Sequence, residues 1–247
     1  MKIVIVIPAR YQSSRLPGKP LVQICGVPMV VRTYQQCIKV LPKEKIYVAT
    51  DDDRIAAVCK DNGIQYIMTS ANCLTGTDRV AEASTFIDAD CYINVQGDEP
   101  LFCPNDIRKL IESVQEYPHQ ILSGYCKISD EKQFRSSSIP KVVLRPDGRL
   151  LYMSRAPIPT NKIHGFEYAW RQVCAYAFPK KALQAFVATK DKTTLEQIED
   201  IEILRFLELG LDVRMIPMSN NSVAVDNPED VIKAESVIRQ NCLLGLS

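Results

Sequence analysis

At 247 residues the chain has room for one large domain or a core domain with an excursion. Its 46% hydrophobic and 24% charged content is that of an ordinary globular protein, and 30 cations against 29 acids leave a net charge of +1. No global basic field invites nucleic acid, so any anion site must be local.

The chain opens on KIVIVI (2–7), a β-branched run typical of a strand covered on both faces. The five apolar residues between Lys2 and Pro8 are too few for a secretory core, and no run of eighteen predicts a membrane span. Nine cysteines without a CxxC pair, and only His119 and His164 as imidazoles, predict free thiols in a reducing, cytoplasmic setting rather than a zinc site.

After this strand comes PARYQSSRLPGKP (8–20), which gathers Arg10, Arg15 and Lys19 between rigid prolines. It is neither a P-loop nor a GxGxxG turn. Guanidinium forks and an ammonium on a stiffened loop suit phosphate oxygens, and stiffness limits the entropy lost on binding. The competing account is a solvated surface turn, but its position at a strand's carboxyl end favours an anion site.

Helical periodicity follows at 28–41, a buried strand at 45–50, a helix at 53–62 and a strand at 64–68. A helix at 78–87 is capped by Thr77 or Asp78, a strand runs over 91–95, and a helix over 104–117. This alternation predicts a doubly wound, mainly parallel α/β sheet with its site at the strands' carboxyl ends. Segments 120–128, 140–155 and 171–178 read as strands, RPDGR marking a hairpin turn, so one domain (1–247) is expected to carry a β-rich insertion at about 120–178. Helices are expected at 180–188, at 193–209 with Gly210 as its stop, and at 227–240, with a strand at 212–218.

Asp98 in NVQGDEP and Asp226 in SVAVDNPED both stand where an apolar run ends. Each alone reads as a turn or cap residue. Together they would repel without a cation, and with Mg²⁺ between them they form a hard-oxygen site that bridges phosphates.

The motifs IPARYQSSRLPGKPL, TGTDRVAEA (75–83), INVQGDEP (93–100), YMSRAPIP (152–159) and VDNPED (225–230) closely resemble the 3-deoxy-manno-octulosonate (Kdo) cytidylyltransferases, the CMP-Kdo synthetases of lipopolysaccharide biosynthesis. The resemblance spans nearly the whole chain. It implies a Rossmann-like, glycosyltransferase-A-type nucleotidyltransferase fold, Mg²⁺ dependence and a homodimer formed through the β-rich insertion. It further implies CTP and an acid sugar as substrates, with neither nucleic acid nor membrane as partner.

Carried over by residue, Arg10, Arg15 and Lys19 would contact the triphosphate, with Pro8 and Ala9 against the nucleotide. Arg79, Gln96 and the 68–77 region would seat the nucleoside, and Asp98 and Asp226 would hold Mg²⁺. Arg155, Gln172, Tyr176, Glu199 and Glu202 would face the sugar. Glu199 and Glu202 would share one face of the 193–209 helix; a solvated acidic face is the alternative. Where the family reads KHIGIYAYR this chain reads RQVCAYAFP (171–179), placing Gln172 at a histidine position and Pro179 at an arginine position. Ile203 replaces a glutamine of LEQLR. Departures gathered on the sugar side leave open a different acid (an amino-ulosonate, a nonulosonate or a phosphonate), and a non-catalytic nucleotide-binding protein is the reading from another class.

Overall fold

The computed structural model describes residues 1–243 apart from Ser14 and Asn221; the side chains of Cys242 and Leu243 lie outside the described residues. In chain order the strands are β1 (Ile3–Ala9), β2 (Gln23–Ile24), β3 (Val27–Pro28), β4 (Ile46–Thr50), β5 (Gln65–Met68), β6 (Cys91–Val95), β7 (Ile121–Lys127), β8 (Lys141–Leu144), β9 (Leu150–Ser154), β10 (Trp170–Pro179) and β11 (Val213–Pro217). The α-helices are α1 (Met29–Cys37), α2 (Asp53–Asp61), α3 (Gly76–Ala83), α4 (Pro104–Glu116), α5 (Glu131–Arg135), α6 (Lys180–Ala188), α7 (Thr194–Glu199), α8 (Ile203–Glu208) and α9 (Pro228–Leu243).

The central sheet has the order β11-β7-β10-β6-β1-β4-β5. β1 lies between β4 and β6, parallel to both; β4–β5 and β7–β11 are also parallel, and β10 alone runs antiparallel to its neighbours β6 and β7. Every residue of β1 is buried because both sheet faces are covered. Ile3, Ile5 and Ile7 pack with residues of α1, α2 and α4, whereas Val4 and Val6 meet residues of α3, α6 and α8. The fold is therefore a mixed α/β sheet, mainly parallel, as the alternating pattern implied.

The region 120–178 is β-rich, but β7 and β10 belong to the central sheet; only the β8–β9 hairpin stands off its main path. Three local expectations need correction. The 193–209 segment is two short helices, parted at Asp200, whose φ of 51° is left-handed. The cap of α3 is Thr75, which accepts from the Asp78 amide while Asp78 accepts from the Thr75 amide, a reciprocal capping box. The helix α5, whose cap Asp130 accepts from the Gln133 amide at 2.8 Å, was not anticipated.

Candidate active site

The carboxyl ends of β1 and β6 open into a cleft of about 410 Å³. On leaving β1 the chain turns at Gly18, whose φ is 66° and whose amide donates to the Tyr11 carbonyl at 3.2 Å. A Cβ at Gly18 would lie 3.2 Å from the Tyr11 ring, so glycine suits both the turn and the contact. The other side of Tyr11 is covered by the Arg54 guanidinium, 3.3 Å from the ring centroid, and Arg54 is paired with Asp52 at 2.7 Å. The loop is thus braced before Lys19 enters a 3₁₀ turn with Pro20.

The Lys19 Nζ donates to Asp98 Oδ2 at 2.6 Å and to Asp226 Oδ1 at 3.0 Å. Arg15 Nη2 reaches the same Asp226 oxygen at 3.0 Å. Burial disfavours the Lys19 ammonium, but the two carboxylates, Asp98 foremost, outweigh it and hold its pKa above the usual lysine value. Backbone pairing sets up this convergence: the Val225 amide donates to the Asp98 carbonyl at 2.9 Å, which brings residue 226 beside residue 98. The Asp226 carboxylate faces the loop cations, while the Asp226 and Asn227 amides donate to Asp230.

Gly97 is required by close approach, since a Cβ there would stand 2.6 Å from the Pro8 carbonyl oxygen. Next to Asp98, Glu99 is buried and its Oε2 has no hydrogen-bond partner among the described residues. Burial, reinforced by the Asp98 charge, pushes its carboxyl up to about 8.

Two facing carboxylates that already hold an ammonium between them have the hard-oxygen chemistry of a divalent-cation site. Among the described residues no group of three His, Cys, Asp or Glu side chains is placed to hold a metal, so an ion here would complete its shell from phosphate oxygens and water.

Arg79 lines the cleft but is almost fully buried, with Nη1 on Thr69 Oγ1 at 2.6 Å and Nη2 on Asp51 at 3.1 Å. It locks the ends of β4 and β5 to α3. Gln96 lies against Gly76, where a Cβ would be 3.2 Å from its Oε1. Glu202 accepts from the Thr77 amide at 2.7 Å, at the start of α3, and burial raises its pKa.

Beyond them, Gln172 donates to the Tyr176 hydroxyl at 3.0 Å, and both line the cleft with Cys174. Arg155 also lines it, yet its guanidinium bonds backbone carbonyls: Nη1 to Ser137 at 3.0 Å, Nη2 to Asp200 at 2.9 Å, and Nε to Glu199. All the residues singled out from sequence therefore gather on one cleft except Glu199. Its carboxylate accepts from Ser154 Oγ at 2.6 Å and the Arg155 amide at 2.8 Å, so it buttresses β9 instead of facing the cavity. The helix break at Asp200 is the reason: it turns Glu199 and Glu202 to different neighbours. Sequence reasoning missed Lys192 and Asp200, which also line the cleft; neither belongs to a motif. Glu99 lay within the quoted GDEP without being assigned a part.

Residues 4–214 match the cytidylyltransferase family model. The chain is 38% identical to the 3-deoxy-manno-octulosonate cytidylyltransferase of Syntrophotalea carbinolica, covering 97% of this chain and 99% of that one.

The chain belongs to the 3-deoxy-manno-octulosonate cytidylyltransferase family.

A member from Escherichia coli is 35% identical over 97% of both chains. The solved structure of a CMP:2-keto-3-deoxy-manno-octonic acid synthetase complexed with CTP superposes with a TM-score of 0.91 at 34% identity, covering 98% of this chain and 100% of that one. In this chain Arg15, Lys19 and both carboxylates stand together, and Gln172 and Ile203, read above as departures from the pattern the chain resembles, each have a defined place. Gln172 forms a buried bond with Tyr176, and Ile203 is buried among the apolar residues of α8.

Proposed function

We propose that this protein is a CMP-Kdo synthetase: it transfers the cytidylyl group of CTP to the anomeric hydroxyl of Kdo and releases pyrophosphate. One observation carries the reading. Lys19, held between Asp98 and Asp226 with Arg15 on the same carboxylate, places cations and metal-type ligands on one side of one cleft.

In this reading Arg15 and Lys19 shift from their carboxylates to the β- and γ-phosphates and neutralise the charge that builds on departing pyrophosphate. Lys19 is suited to this because its raised pKa keeps it charged across the neutral range. Arg10, Pro8 and Ala9 line the nucleotide's path, and Gln96 with Gly76 borders the nucleoside. Arg79 acts from behind, by fixing the ends of β4 and β5. Asp98 and Asp226 would hold Mg²⁺, which when bound supplies Lewis-acid polarisation of the phosphate oxygens. Gln172 and Tyr176 orient the sugar, with Glu202 beneath them. Neither histidine lines the cleft.

We further assign the whole chain to one catalytic unit and its homodimer contact to the β-rich region, where Leu151 on β9 and Ile163 and Tyr168 in the segment between β9 and β10 are exposed apolar residues. No described helix is long and apolar enough to cross a membrane, and the eight described cysteines are free, which supports a reducing, cytoplasmic setting.

A second reading, cytidylyl transfer to a related acid, is favoured by Gln172 at a histidine position of the family. The deciding experiment is pyrophosphate release with CTP and Mg²⁺ across a panel of acid sugars. Release with Kdo is expected. Release only with an amino-ulosonate, a nonulosonate or a phosphonate would replace Kdo as the acceptor, and release with none would leave a nucleotide-binding protein.

A further inference from the structure

The cleft contains an ion pair that no recognised motif includes. Lys192 Nζ donates to Asp200 Oδ1 at 2.7 Å, and both residues line the cavity. Arg155 Nη2 stands 3.8 Å from the other carboxylate oxygen of Asp200. The Lys192 hydrogen bond, followed by the charges of Lys192, Arg155 and Arg10, holds the Asp200 carboxyl below the usual aspartate range. Two cations thus stand at one carboxylate, from the end of β9 and the approach to α7, and Arg10 of the loop after β1 lines the same cleft.

This pair is poorly suited to a purely structural part. The Asp200 side chain is 71% exposed, and pairs this open to water contribute little to stability. The α7–α8 region already has a buried fastening, because Arg205 bonds both oxygens of Glu196. Asp200 caps α7 in a left-handed backbone, φ 51°, a conformation aspartate takes more readily than most non-glycine residues. The result is an exposed carboxylate paired with cations in one corner of the cleft.

A 3-deoxy-2-ulosonic acid carries its carboxylate on the carbon that bears the reacting hydroxyl. That carboxylate therefore needs a cationic seat near the phosphate loop, and Arg10 of that loop lines the same cleft as Lys192 and Asp200. Arg155 already spends Nε, Nη1 and Nη2 on backbone carbonyls, whereas Asp200 is the one described hydrogen-bond partner of Lys192 Nζ. We propose that Lys192 receives the acceptor's carboxylate, and that Asp200 fills this seat with its own carboxylate until the acceptor displaces it. The proposal rests on the cytidylyltransferase reading and adds a residue that selects acidic acceptors.

The test uses Lys192→Met and Asp200→Asn in the full chain; asparagine tolerates the left-handed backbone and removes only the charge. Equilibrium binding of Kdo by calorimetry is measured alongside pyrophosphate-release kinetics. Loss of a charge-assisted contact should make Lys192→Met bind Kdo about tenfold or more weakly and raise its KM to match, with the KM for CTP unchanged. Asp200→Asn should bind Kdo more tightly than wild type, because a competitor has been removed. Wild-type-like Kdo binding by Lys192→Met, or weaker binding by Asp200→Asn, would overturn the proposal. Lys192-dependent Kdo binding without turnover would refute the activity and leave this seat standing. Turnover with Kdo that ignores Lys192 would do the reverse.

Discussion

Asp98→Asn is expected to lower kcat with CTP by about three orders of magnitude, the several kcal/mol that a metal and charge clamp supplies to a phosphoryl-type transition state. The amide keeps the shape of the side chain but gives up one of the two carboxylates proposed to hold Mg²⁺ and one of the two charge partners of Lys19. Folding should be nearly unaffected. The side chain is 30% exposed, and the tie to the Val225 amide uses the backbone carbonyl, which the substitution retains. A melting temperature within about 2 °C of wild type would separate lost chemistry from lost structure. Wild-type turnover by the variant would remove Asp98 from the metal site.

The second large effect concerns stability. Arg205 is fully buried; its Nε and Nη2 bond the two oxygens of Glu196 at 2.6 and 2.7 Å, and Nη1 reaches Asp78 at 3.2 Å. Its guanidinium lies over the Phe186 ring, 3.7 Å from the centroid, so a single side chain joins α3, α6, α7 and α8. Arg205→Met should destabilise the protein by about 3–5 kcal/mol, because it leaves the Glu196 charge buried and uncompensated. For a chain of this size that is a fall of about 10 °C in melting temperature. The double variant Arg205→Met/Glu196→Met should recover most of the loss, since an apolar pair of similar volume suits the same space. Equal melting temperatures for the single variant and wild type, measured by scanning calorimetry, would show that the pair is not the fastening described.

Both effects trace back to features that the sequence exposes unequally. β1 was legible because IVIVI is apolar on both faces, as a central parallel strand must be. The loop 8–20 was legible as a candidate anion site because Arg10, Arg15 and Lys19 crowd between prolines at a strand's carboxyl end. Asp98 and Asp226 were paired from their places at the ends of apolar runs, and the resemblance gave the same pairing: 128 positions apart, they meet because the chain at 225 hydrogen-bonds the chain at 98.

The acceptor side was harder to read. Nothing in TLEQIEDIEILR singles out Asp200 as the point where the helix ends, although aspartate enters the left-handed region more readily than most residues. Missing that break placed Glu199 in the cleft, when it props β9, and hid Lys192 and Asp200, which do line the cleft. In the same way β10 reads as part of a peripheral insertion because its partner β6 is distant in sequence, although the two pair side by side in the central sheet.

The most direct test of the central claim is a crystal structure with CTP and Mg²⁺ bound. It should show Lys19 and Arg15 on oxygens of the β- and γ-phosphates and the divalent ion between the carboxylates of Asp98 and Asp226. A triphosphate bound elsewhere, with the Lys19–Asp98 pair undisturbed, would contradict the account.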